Sequence, residues 1–248
     1  MKNLIRADFF KLSKSFGYKV MLASSAGVGL LFCYFCISNS SRASGYQMLS
    51  IMDSFVMFHT IFTSVFTAVF LCSEFSDRTI GMGLFCGQPR RSVFISKLVV
   101  YFTGLLCLLS TVVVVPVVIM SIRNGFGIEL TLDGCVEVLA QMVFFWLVSA
   151  AMGGFFVFLA LATKNVVATM GAGLGIAFCL LVMTSNYLNS GMEKYEKYAS
   201  AKYSVVYQMF VLADWEHLQK GLFLGVCLIT LIVTLVLSMM LFERTELK

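Results

Sequence analysis

Charge is what this chain lacks. Of its 248 residues, 12% are Asp, Glu, Lys or Arg and 59% are apolar, whereas a soluble domain is about a quarter charged and about half apolar. The charges that do occur crowd into short stretches between long runs almost free of them. A solvated surface cannot be built from that supply. Runs of about 20 apolar residues are what helices need to cross a hydrocarbon core. The sequence therefore predicts an all-α membrane protein forming a single transmembrane domain over 1–248.

Catalytic equipment is scarce as well. There are two histidines, His59 and His217, far apart and in different settings; an intramembrane protease would need a Ser/His pair, paired aspartates or a metal cluster. No Gly-x-x-x-x-Gly-Lys-Ser/Thr occurs, so the chain carries no phosphate loop and cannot hydrolyse ATP alone. The expectation is no catalytic residue, no cofactor and no metal in this chain. The net charge of +5 sits beside hydrophobic runs, where basic residues orient spans, so no nucleic-acid partner is expected. The eight cysteines lie mostly in or at the ends of apolar runs. Cys33 and Cys36 make a lone Cys-x-x-Cys inside a predicted span, which reads as small apolar packing residues. The N-terminal segment holds Asp8 and an amphipathic pattern instead of a short basic leader and cleavage site, so it reads as retained.

Within residues 1–18, Ile5, Phe9, Leu12 and Phe16 fall on one helical stripe flanked by Arg6, Lys11, Lys14 and Lys19. That pattern predicts an interfacial helix with its stripe in lipid and its lysines near anionic headgroups. Six spans are expected, at about 20–37, 54–72, 98–120, 135–162, 166–185 and 221–242, with Lys164 and Asn165 making a very tight turn between the fourth and fifth. Lys and Arg bias orients them. With the N-terminus inside, Lys2, Arg6, Lys11, Lys14, Lys19, Arg78, Arg90, Arg91, Lys97, Lys164, Arg244 and Lys248 are cytoplasmic, and Arg42, Arg123, Lys194, Lys197, Lys202 and Lys220 are not. Both termini are thus expected inside. The outer segment 186–220 places Met192, Tyr195, Ala199, Tyr203 and Val206 on one face and is expected to form short extracellular interfacial or re-entrant helices.

Ionisable groups deep in a span mark transport paths, because only function sustains their cost. Asp53 and Glu137 fall near the outer ends of the second and fourth spans, and His59 is the one candidate of any depth. It reads either as part of a substrate path or as a residue hydrogen-bonded to a neighbouring span. Gly171 and Gly175 make a Gly-x-x-x-Gly in the fifth span, and Ser149/Gly153 and Ala150/Gly154 repeat the small-residue theme in the fourth. Two readings stand: these faces pack spans four and five together, or the fifth span faces a second subunit.

Residues 73–97 form a segment too long for a turn, with apolar residues spaced to lie on a surface: Glu74-Phe75-Ser76-Asp77-Arg78-Thr79-Ile80, then Gly87-Gln88-Pro89-Arg90-Arg91, then Lys97. Such a segment can dock a partner and pass a push into the spans on either side of it. The arrangement resembles the membrane subunits of bacterial ABC transporters of the ABC-2 (type V exporter) kind, on Glu74, Phe75, Thr79, Ile80, Gly87, Arg90 and Lys97 in order and approximate spacing, with Asp8-Phe9-Phe10-Lys11-Leu12 similar to the family's opening interfacial helix. Pro89 departs from the pattern, in which a Ser or Thr commonly precedes the Arg.

The resemblance implies a multi-pass permease in a bacterial cytoplasmic membrane, paired with a second permease subunit, same or different. Glu74, Phe75, Asp77, Arg78, Thr79, Ile80, Arg90, Arg91 and Lys97 would belong to a coupling helix seated on a separate ABC ATPase subunit, where ATP and Mg would bind. Short permeases of this shape look similar to subunits that expel or give immunity to bacitracin, lantibiotics and peptide toxins, which implies a peptide substrate. A secondary transporter or channel working without an ATPase, and a membrane enzyme or sensor, are the other classes open to a chain of this composition.

Overall fold

A computed structural model describes residues 2–38, 43–54, 56–76, 89–127, 132–190 and 219–244. Helix α1 (Lys2–Lys14) is followed at once by α2 (Phe16–Ser38), then α3 (Gly45–Ser54) and α4 (Val56–Thr67). The last of these runs through a π-helical turn, Ala68–Cys72, into the short α5 (Ser73–Ser76). Four long helices complete the described chain: α6 (Arg90–Asn124), α7 (Leu132–Thr163), α8 (Val166–Ser190) and α9 (Lys220–Arg244). No strand occurs among the described residues.

Five of these helical stretches are long and apolar enough to cross a membrane: Phe16–Ser38, Phe58–Phe75, Arg90–Asn124, Val136–Thr163 and Lys220–Arg244. The apolar stretch Val166–Cys179 of α8 is shorter. The chain is a multi-pass membrane protein. Stretches Phe58–Phe75, Val136–Thr163 and Arg90–Asn124 are 56%, 50% and 44% buried, against 22% for the first and last, so α4, α7 and α6 form the centre and α2 and α9 flank it. Helix α9 packs chiefly on α7, α8 on α4, and α2 on α6.

Several expectations are corrected. The interfacial helix ends at Lys14, because Ser15 breaks the helix and α2 starts at Phe16. Its stripe is turned in part onto the bundle: Leu12 is buried and Ile5 and Phe9 pack half-buried on the core, while Phe16 is exposed. A Cβ on Gly104 would come within 2.8 Å of Leu12 and 2.9 Å of Phe66. The missing side chain is what lets α1 and α4 both settle on α6. The helix that holds the expected third span, about 98–120, begins earlier, at Arg90. Helix α6 runs for 35 residues, about 52 Å at 1.5 Å per residue, and so outlasts a hydrocarbon core about 30 Å thick. Intrahelical hydrogen bonding carries it on regardless of charge, so Arg90, Arg91 and Lys97 sit on its first turns, continuous with the third span. Helix α3 was not anticipated. It docks on the far end of α6, with Gly45 and Tyr46 N–H groups donating to the Gly125 and Phe126 carbonyls and the Tyr46 hydroxyl donating to Glu137.

The tight turn between α7 and α8 is present. Lys164 adopts φ 50° at the end of α7, and Asn165 Oδ1 caps α8 by accepting from the Val167 N–H at 2.8 Å. Residues 191–218, which hold most of the expected outer helices, lie outside the described residues, as do Arg42, Asp77, Arg78, Thr79, Ile80 and Gly87.

Candidate functional site

Segment 77–88 joins two helices whose facing ends carry opposite charges, Glu74 on α5 and Lys97 on α6. The chain brings them together. Lys97 Nζ lies 2.5 Å from Glu74 Oε2, and Glu74 Oε1 accepts from Lys11 Nζ at 2.7 Å. On its other side Lys97 lies 3.5 Å from Asp8 Oδ1, whose second oxygen accepts from the Ser96 hydroxyl at 2.9 Å. Two carboxylates and two ammonium groups alternate, so the network is neutral.

Burial makes this more than a surface pairing. The Glu74 and Lys97 side chains are 6% and 9% exposed, and a charge removed from water to that degree stays ionised only if paired and hydrogen-bonded. Three elements are thereby fastened at one point: α1 through Asp8 and Lys11, the end of the second span through Glu74, and the start of the third through Ser96 and Lys97. Glu74 and Lys97, both expected in the coupling helix, face each other, and Phe75 packs partly buried on the core.

The π turn sits directly above this network. The Ser73 N–H reaches the Ala68 carbonyl, five residues back, and the Ser73 hydroxyl donates to the Val69 carbonyl. A turn wound this way carries an extra residue within an otherwise α-helical stretch, and such turns recur at functional sites. Here it sets the direction from which Glu74 enters the network.

On the other side of the π turn, α4 presents a polar row. His59, Thr63 and Thr67 are buried at spacings of four, hence on one face. The Thr63 hydroxyl donates to the His59 carbonyl and the Thr67 hydroxyl to the Thr63 carbonyl, both at 2.7 Å. Bonding back four residues is how a hydroxyl tolerates an apolar interior. Thr67 Oγ1 also lies 2.7 Å from the Tyr101 hydroxyl on α6, and the His59 ring meets Phe145 on α7 edge-on at 4.8 Å. His59 therefore joins span-to-span packing. The side chain of Asp53 lies outside the described residues.

The remaining candidates separate. Arg90 and Arg91 meet Glu243 at the end of α9: Arg91 Nε lies 2.5 Å from Glu243 Oε1 and Arg90 Nη1 donates to the Glu243 carbonyl at 2.9 Å. The small residues of α7 do not serve the fifth span. Gly153 faces Leu105, Tyr101 and Phe102 of α6, and Gly154 faces Thr234 and Leu231 of α9. Gly171 and Gly175 are exposed, with nothing within 4 Å of where a Cβ would stand, while Gly173 between them admits Ser64 of α4 where a Cβ would overlap it. Cys33 and Cys36 contact the Pro116 carbonyl and Met48 at 3.9 and 4.0 Å. Among the described residues no group of three His, Cys, Asp or Glu side chains is placed to hold a metal.

No family model matches the chain, and no curated protein matches it in sequence. The network itself remains the best-defined site. Asp8, Lys11, Ser96 and Tyr101 were missed as partners by sequence reading. Asp8 carried a signal, being the sole acidic residue in the first 52, beside a stretch rich in lysine. The others needed the fold.

Proposed function

We propose that the chain is the transmembrane permease subunit of an ATP-driven exporter of the ABC-2 kind, with six spans and both termini in the cytoplasm of a bacterial cell. The observation that carries this reading is the Asp8–Lys97–Glu74–Lys11 network. It ties α1 and the bases of the second and third spans into one unit around segment 77–88. A load applied to that segment by an ATP-binding subunit would move these helices together, as rigid-body alternating access requires. ATP and Mg belong on that separate subunit, and this chain contributes no catalytic residue.

Two further parts of the reading rest on exposure and composition. The open Gly171/Gly175 face of α8, with Val167, Leu174 and Phe178 also exposed, suits close approach of a second permease subunit. An interior rich in Phe and Met suits an amphipathic peptide drawn from the membrane. The buried His59–Thr63–Thr67 row favours a second reading, a secondary transporter working without an ATPase, since polar groups at depth mark transport paths.

Co-purification of the tagged chain with the ATP-binding subunit encoded nearest to it decides between them. Stoichiometric capture, followed by stimulation of ATP hydrolysis by amphipathic peptides in proteoliposomes, is the expected result. A chain that holds no ATPase, yet carries ion-dependent flux when reconstituted alone, would establish the second reading.

A further inference from the structure

Arg91 and Glu243 stand at the facing ends of α6 and α9, on the same end of the bundle as the buried network. Their contact is short but wet: the arginine side chain is 70% exposed and the glutamate 36%. Directly beneath lies a different kind of contact. Phe94 and Phe242 stack with ring centroids 5.0 Å apart and planes 24° from parallel, each 2% exposed. The two layers have unequal importance for the fold. A buried aromatic pair holds helix ends together through its packing, whereas an exposed ion pair contributes little and is screened by salt. The aromatic stack keeps α6 and α9 joined whether or not the ion pair is made, so the ion pair is free to change partners.

Position gives that freedom a use. Arg90 and Arg91 follow segment 77–88 after the single residue Pro89, and that segment is the part of the chain that the permease reading assigns to the ATPase. An arginine can pair with a carboxylate by geometry as well as by charge, and Glu243 shows that a carboxylate oxygen reaches the Arg91 Nε. Resting on that reading, we propose that Glu243 is an internal stand-in for a carboxylate of the ATP-binding subunit. It holds Arg91 while the permease is alone and releases it when the subunit docks. The pair is an exchange contact: it lowers affinity for the partner by the strength of one exposed ion pair, and it keeps the arginine oriented for capture until then.

The test is a double-mutant cycle on binding. The full-length permease in nanodiscs is titrated with the purified ATP-binding subunit encoded nearest to it, comparing wild type, Glu243→Gln, Arg91→Gln and the double variant. Glu243→Gln should tighten binding about two- to fivefold, the range an exposed pair commands. Arg91→Gln should weaken it, and Glu243→Gln should then add nothing, since the residue it frees is gone. Thermal stability of Glu243→Gln should match wild type, because the Phe94–Phe242 stack is untouched. Unchanged or weaker binding by Glu243→Gln, or equal tightening in the Arg91→Gln background, overturns the exchange while leaving the permease reading intact. A wild type that binds no ATP-binding subunit at all overturns both.

Discussion

Lys97 Nζ lies 2.5 Å from Glu74 Oε2, and these two residues bracket the one long polar segment between the second and third spans. Each is also held by a residue of α1, Glu74 by Lys11 and Lys97 by Asp8. The N-terminal helix thus clamps the base of the segment from outside. Helix α1 packs on α6; under the proposed permease reading it would make the second and third spans answer to displacement together.

Breaking the pair from one side should be costly. Lys97→Met or Glu74→Gln leaves a buried charge with one of its two partners gone, at a cost approaching the roughly 3–5 kcal/mol of a broken buried pair. The double variant should lose less than the sum, because it removes both charges. Thermal unfolding in nanodiscs measures this, and strictly additive losses would show that the two side chains do not act as a pair.

Glycine positions on α8 should differ sharply. Gly173→Ala places a methyl group on Ser64 and should cost about 1–3 kcal/mol by forcing α4 and α8 apart. Ser64→Gly should restore much of the loss. Gly171→Ala, with open space around it, should leave the stability of the single chain unchanged. Equal sensitivity at 171 and 173 would mean that the α4–α8 contact is misplaced.

The Thr67–Tyr101 bond links the second and third spans within the membrane. Thr67→Val and Tyr101→Phe, measured singly and together, should show a coupling of about 0.6 kcal/mol, the usual worth of such a bond in lipid. Zero coupling would argue that the two hydroxyls are not bonded to each other.

Phe242→Ala should be far more destabilising than Glu243→Gln. Truncating a fully buried aromatic ring costs about 3–5 kcal/mol, while the neighbouring carboxylate is partly in water. Detergent-induced unfolding of the two variants provides the comparison, and a Phe242→Ala protein as stable as wild type would remove the basis for an exchangeable ion pair above the stack.

Membrane character and helical class were legible from the sequence because the hydrophobic requirement of a span is local: about 20 consecutive apolar residues announce themselves without any neighbour. The turn at Lys164 and Asn165 was legible for the same reason, as its left-handed residue and its cap lie within three positions. Helix ends were less so. Arg90 to Lys97 reads as a polar segment, yet a helix continues past the lipid surface as long as its backbone bonds are intact, and so it became the first turns of α6. The stripe of α1 was visible, but not what it faces, because lipid and a packed helix demand the same apolar side chains; the room left by Gly104 decided it. Which small residue admits a neighbour, Gly173 instead of Gly171, turned on helix rotation that no spacing rule supplies. The pairing of Glu74 with Lys97 and Lys11, and of Lys97 with Asp8, likewise belongs to tertiary structure alone: Coulombic partners are chosen by distance in space, and only the packing of α1, α5 and α6 brought four scattered charges to one point.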